Sequence, residues 1–215
     1  MTRLCDIDAV NELRPEYVGF VFAPGSKRRV TPDQAAELSA HLTDGVAPVG
    51  VFVNEPIENV CRLTDSGVIA VVQLHGSEDE AYISRLRERF HGVVIQAFKI
   101  RSEADVLKAN RSSADFILLD SGAGTGQPFD RDLISSVTRD FFLAGGLSSQ
   151  DVQSAIRRWR PYAVDVSSAI ETDGVKDKDK MTAFVEKVRG SRQLMEGGNE
   201  ASETSAVTLP GSRFA

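Results

Sequence analysis

The chain has 215 residues, 41% hydrophobic and 26% charged, with a formal net charge of −6 and a pI near 5.2. These values describe a soluble, cytoplasmic metabolic protein able to bury one substantial core, and they speak against a general nucleic-acid binder, whose footprint is a basic stripe. No stretch reads as a signal peptide or a membrane span, and Cys5, Cys61 and three scattered histidines show neither a disulfide framework nor metal-ligand spacing.

A helix-like stretch, Leu4–Leu13, opens the chain with no strand ahead of it. Seven short apolar runs follow: Tyr17–Phe22, Pro48–Val53, Val71–His75, Val93–Ile100, Phe116–Asp120, Phe141–Gly145 and Ala163–Ser168. Their starts lie 31, 23, 22, 23, 25 and 22 residues apart, the period of a repeated β-α unit. The runs are continuously apolar, as in Val49-Gly50-Val51-Phe52-Val53, which predicts parallel strands covered on both faces. Polar caps announce the helices between them. Thr31-Pro32-Asp33-Gln34 combines a hydroxyl cap, proline at the first helical position and a capping-box glutamine. Ser77 with Glu80, Ser102 with Asp105 and Ser148 with Asp151 repeat the polar-cap pattern. Each helix carries one apolar stripe, such as Val152, Ala155, Ile156 and Trp159, to lay on the sheet.

This rhythm predicts one α/β domain over residues 1–190, a barrel of β-α units in which one stave, the first, has no counterpart in the chain. From Ser191 the apolar period is lost, and residues 191–215 read as a disordered tail.

In such a barrel the loops after the strands form the reactive face, and the polar and glycine residues concentrate there. Gly145-Gly146 after the sixth run and Ser167-Ser168 after the seventh let backbone N–H groups approach a phosphate. Either pair alone reads equally as a tight turn; together they favour phosphate. The Gly122/Gly124/Gly126 loop opens no helix and reads as a flexible lid rather than a dinucleotide fingerprint. Asp120, after Ile117-Leu118-Leu119, is either a partly desolvated general acid or the cap of the following turn. Arg28 either grips a carboxylate with its planar fork or belongs to a solvated basic turn. His75 either lines the pocket or is a satisfied structural histidine, and Cys61 reads as core.

The ordered set of segments carries a resemblance. It runs Val18-Gly19-Phe20-Val21-Phe22-Ala23-Pro24 with Ser26-Lys27-Arg28-Arg29-Val30, then Val49 to Asn54, then Gln73-Leu74-His75-Gly76. Leu118-Leu119-Asp120, Gly124-Thr125-Gly126 with Phe129-Asp130, and Leu143-Ala144-Gly145-Gly146-Leu147 come next. Asp165-Val166-Ser167-Ser168, Glu171 and Gly174-Val175-Lys176-Asp177 complete it. From Thr2 to about Gly190 the chain resembles the phosphoribosylanthranilate isomerases of tryptophan biosynthesis. The resemblance implies a (β/α)8 TIM barrel that performs an Amadori rearrangement of a phosphosugar with no cofactor and no metal, as a monomer or homodimer. It implies Asp120 as general acid, Arg28 as the grip on the anthranilate carboxylate, and the backbone around Gly145, Gly146, Ser167 and Ser168 as the phosphate site. His75 and Gly124 join the expected substrate contacts. Gln96 stands where the family usually has lysine, and Ala169 replaces the glycine after Ser167-Ser168.

The family opens with a strand of the form Lys-Ile-Cys-Gly, whose cysteine is the general base. Equating Cys5 with it would require deleting the first loop, since Cys5 runs straight into Asp6-Ile7-Asp8. The gap-free alignment places Met1 just after the Cys-Gly pair and Cys5 at the start of the first helix. It is favoured, and the expectation is a natural reading frame that begins upstream of Met1. Two other readings stand beside the isomerase: a phosphate-binding barrel that has lost its base, and another phosphosugar isomerase on the same fold.

Overall fold

A computed structural model describes residues 1–120 and 131–196. Helix α1 (Leu4–Leu13) precedes strand β1 (Tyr17–Val21), as the sequence predicts. There follow α2 (Pro32–Ala40), β2 (Ala47–Phe52), α3 (Ile57–Asp65), β3 (Val71–Leu74), α4 (Glu80–Arg87), β4 (Val93–Lys99), α5 (Glu103–Asn110) and β5 (Phe116–Asp120). After β5 comes a 3₁₀ turn (Arg131–Ser136), then β6 (Phe141–Ala144), α6 (Val152–Trp159) and β7 (Ala163–Val164). A second 3₁₀ turn (Ser168–Ile170), a small hairpin of β8 (Glu171–Thr172) and β9 (Val175–Lys176), and α7 (Lys178–Glu196) complete the described residues. Among the described residues no helix is long and apolar enough to cross a membrane.

The first seven strands pair in chain order, every pair parallel. Each crossover therefore returns the chain to the same end of the sheet, and all strand C-termini share one rim. One set of alternating side chains, including Val49, Val71, Ile95, Leu118 and Phe142, packs in an inner core. The other set, including Phe20, Phe52, Leu74, Val94, Ile117 and Leu143, packs under the helices. This double burial is why the strands read as unbroken apolar runs.

Among the described residues β7 and β1 do not pair with each other, so the sheet has a seam there. At the lower end of the seam Tyr17 and Tyr162 are hydrogen-bonded, and Tyr17 meets Phe142 edge-on at 5.5 Å. Burial pushes the Tyr17 phenol pKa upward, and Tyr162 adds to the shift. On the outside α1 packs on α7, and Arg189 donates to the carbonyls of Leu13 and Arg14 at 2.7 and 2.8 Å. The Met1 backbone nitrogen donates to Gly19 O at 2.8 Å, so the residues ahead of α1 lie along the free edge of β1.

Several local readings need correction. The cap of α4 is Asp79, whose side chain accepts from Tyr82 N, rather than Ser77. Ser148 and Asp151 bond to each other but form a turn ahead of α6, not its first turn. Among the described residues of the fifth crossover a 3₁₀ turn stands in place of the expected helix; its Ser135-Ser136-Val137-Thr138 end is rich in poor helix formers. Helix α7 continues six residues past the boundary at 190 suggested by the loss of apolar period. The Thr31 capping box and the Ser102 cap form as read.

Gly50 tests how tightly the helix-facing layer is packed. A Cβ there would fall 2.6 Å from Ile69 Cδ1 and 2.7 Å from the Phe52 ring. Gly50→Ala should lower stability by about 1–3 kcal/mol through overpacking, measured by urea denaturation. An unchanged midpoint would show that the layer yields.

Candidate active site

The rim gathers side chains from six strand ends. Gln73, buried in β3, brings its amide Nε2 to 3.0 Å from His75 Nδ1. An amide N–H donating there makes Nδ1 the acceptor and leaves the imidazole proton on Nε2. That Nε2 faces Asp120 Oδ2 at 3.6 Å. On β4, Lys99 is the register partner of Asp120, so both point into the same layer. Asp120 in turn lies opposite Ala144 at the end of β6.

After β6 the chain turns through Gly145 and Gly146, with φ of 85° and 65°. That left-handed backbone favours glycine and leaves the main chain open to close approach by a ligand. After β7, Asp165 N donates to Leu143 O at 2.8 Å, which extends the β6–β7 pairing by one residue. The residue is partly exposed, yet burial of its carboxyl pushes the pKa up. His75 and Lys176 pull it back down, and nearby Asp120 raises it further.

Across the seam Arg28 reaches from the turn after β1 to Glu171 of the hairpin after β7. Arg28 Nε and Nη2 donate to the two Glu171 oxygens at 2.6 and 2.7 Å. Lys176 Nζ donates to Glu171 Oε1 and to Ser167 O, both at 2.8 Å. The Arg28 hydrogen bonds hold the Glu171 carboxyl at about 2, with Lys176 assisting and burial opposing.

Seven of the residues singled out in the sequence thus line one cavity of about 400 Å³: Arg28, His75, Asp120, Gly145, Gly146, Ser167 and Ser168. Gly124 and the loop around it lie outside the described residues. Arg28 is neither free nor in a solvated basic turn, because Glu171 occupies one of its forks. Cys61 is buried in the core, as read. Cys5 is exposed on the first turn of α1 and does not line the cavity. Gln96 points into the helix layer, donating to Glu78 O at 2.8 Å and accepting from Ser112 Oγ at 2.5 Å.

Sequence reasoning gave no role to Lys99, Arg101 and Asp165, which line the same cavity. Strand parity signals two of them: Lys99 follows Ile95 and Ala97 on the inner face, and Asp165 follows Ala163.

The profile of the N-(5'phosphoribosyl)anthranilate (PRA) isomerase family matches residues 1–187. The chain belongs to the phosphoribosylanthranilate isomerase family. It is 42% identical to the N-(5'-phosphoribosyl)anthranilate isomerase of Caldanaerobacter subterraneus subsp. tengcongensis, an alignment covering 88% of this chain and 95% of the relative. Its identity to the isomerase of Endomicrobium trichonymphae is 41%, over 86% of this chain and 92% of the relative. The solved phosphoribosylanthranilate isomerase of Thermotoga maritima superposes with a TM-score of 0.80 at 37% identity, covering 88% of this chain and 96% of that one. A structure of such an isomerase in complex with reduced 1-(o-carboxyphenylamino)-1-deoxyribulose 5-phosphate gives 0.79 at 37% identity, covering 88% and 95%. The isomerase barrel of the family accounts for the seven-stranded parallel sheet and its single reactive rim.

The depressed Glu171 pKa fixes a pH dependence. Ionised Glu171 stabilises the fold fully above its unfolded value near 4.5, and that contribution is lost as pH falls toward about 2. Wild-type protein should therefore exceed Glu171→Gln in thermal stability at pH 6, with the gap closing across that acid window. A gap that persists at pH 2 would contradict the assignment.

Proposed function

We propose that this cavity converts N-(5'-phosphoribosyl)anthranilate to 1-(2-carboxyphenylamino)-1-deoxyribulose 5-phosphate, the aldose-ketose isomerisation of the family in tryptophan biosynthesis. The observation that carries the reading is Asp120 opening onto the same cavity as the Gly145-Gly146 and Ser167-Ser168 turns. The phosphate lies against those two turns, where backbone N–H groups meet it without side-chain obstruction. Arg28 receives the anthranilate carboxylate at the opposite end. Ribose then spans the gap between them, next to Asp120.

The Asp120 carboxyl gives its proton to the ribose ring oxygen as the C1–O bond breaks, and the anilino nitrogen lone pair forms the iminium. A base then removes the C2 proton, and that electron pair becomes the C1–C2 double bond of an enolamine. Ketonisation moves the C2 hydroxyl proton away and protonates C1, so C2 is oxidised as C1 is reduced and no outside electron carrier is needed. His75 holds its Nε2–H toward Asp120 and steadies the carboxylate left after transfer. Lys99 offers a cation on the neighbouring strand.

The base belongs in the seam between β7 and β1. A cysteine on a strand filling that gap would face the inner layer beside the cavity. Cys5 is not that residue, because it sits on the outside of α1. The enzyme acts on a small-molecule substrate, as a monomer or a homodimer; one Thermotoga maritima relative is described as dimeric.

One measurement tests this reading, following the loss of phosphoribosylanthranilate fluorescence. Asp120→Asn should lower kcat by roughly 10²–10⁴, the usual contribution of a general acid, with substrate binding retained. Retained kcat would remove Asp120 from the chemistry.

A further inference from the structure

A guanidinium carries five N–H bonds arranged in two forks, one formed by Nε and Nη2 and one by Nη1 and Nη2. Glu171 takes the first fork of Arg28, leaving the second for a ligand in the cavity that Arg28 lines. A second carboxylate on that outer fork would lie in the same plane, held by two N–H groups, without displacing Glu171.

Glu171 is itself held by construction. Asp173 and Gly174 both adopt left-handed backbone, with φ of 53° and 79°. That is the geometry of the tight two-residue turn that Asp-Gly favours, and it sets Glu171 directly across from Lys176. The two side chains are only 8% and 10% exposed, whereas that of Arg28 is 37% exposed. The second Lys176 bond, to Ser167 O, fastens the pair to the turn after β7. An arginine on a partly solvated turn samples many rotamers, and ordering it on ligand binding carries an entropic cost. Here the fixed partner has already ordered it.

We infer that Glu171 is a positioning residue: it fixes the plane of Arg28 so that the outer fork meets the aromatic carboxylate of the substrate, with Lys176 holding Glu171 in place. The inference rests on the carboxylate-binding role of Arg28 proposed above. Its sign is opposite to that of a bare charge count. Glu171 is an anion beside an anion-binding cavity, and by charge alone its removal should tighten every anionic ligand. Positioning demands that removal weaken the one ligand that uses the fork.

The experiment is a calorimetric titration of folded protein with three probes. They are 1-(2-carboxyphenylamino)-1-deoxyribitol 5-phosphate, its counterpart lacking the ring carboxylate, and inorganic phosphate. Glu171→Gln should weaken the carboxylated probe roughly tenfold, the scale of one charge-assisted contact, while the other two bind as before or more tightly. Glu171→Asp keeps the charge but withdraws it by one methylene, and it should weaken the carboxylated probe as well; it also decides the matter if the glutamine variant fails to fold. In turnover the loss should fall on KM with kcat held. Arg28→Met should remove the same increment, and the double variant should lose no more than Arg28→Met alone. Carboxylated-probe affinity unchanged or improved in both Glu171 variants, with Arg28→Met still weakened, would overturn the positioning role and leave that of Arg28 standing. Unchanged affinity in Arg28→Met would instead overturn the role of Arg28, and this inference with it.

Discussion

One carboxylate shared by two cations holds the rim together. The sheet supplies backbone pairing between consecutive strands, but none joins β7 to β1 among the described residues, so side chains must span that seam. Of the ion pairs that do so, Lys178–Glu12 joins side chains 55% and 60% exposed, a setting in which such pairs contribute little. Glu171 differs in kind. With 8% of its side chain exposed, it depends on these two cations for compensation, and losing both would strand a charge out of water. The ends of the seam are therefore fixed by different means, an aromatic pair below and an ionic triad above.

That arrangement links fold to chemistry, because the triad uses the same arginine that opens onto the cavity. The loops after β1 and after β7 are kept in register by Arg28 and Glu171, while Lys176 reaches the Ser167 turn. In the proposed chemistry the carboxylate end and the phosphate end of the substrate thus rest on one connected set of contacts. A shift in the hairpin would misplace both ends together.

The repeat was legible because parallel strands buried on both faces leave an unmistakable trace: Val49–Val53 and Phe116–Leu119 carry no polar residue to mark a solvent face. The strand order, the orphan helix Leu4–Leu13 and a rim holding Asp120, Gly145, Gly146, Ser167 and Ser168 follow from that trace together with the rule that loops after barrel strands carry function. What stayed hidden depends on partners far apart in the chain. Glu171 lies 143 residues from Arg28, and no local pattern announces that pairing. Asp165 is flanked by small and apolar residues, as Asp120 is, but the Ser-Ser pair beside it drew the phosphate reading and left the carboxyl without a role. The Asp173-Gly174 signature was present in plain sequence and went unused, since only two residues pair on either side of it.

The cavity holds a second carboxyl whose presence constrains the first. Asp165 and Asp120 lie on the same rim with His75 interacting with both, and the Asp165 pKa is raised chiefly by burial and further by the Asp120 charge. Two carboxylates that close do not ionise independently. If Asp120 gives up its proton to a ring oxygen, the negative charge it acquires disfavours ionisation of Asp165, so Asp165 resists becoming a second anion at the moment the first appears. His75, with its proton on Nε2 through the Gln73 amide, directs its donor at Asp120, the group that would become charged in the proposed chemistry.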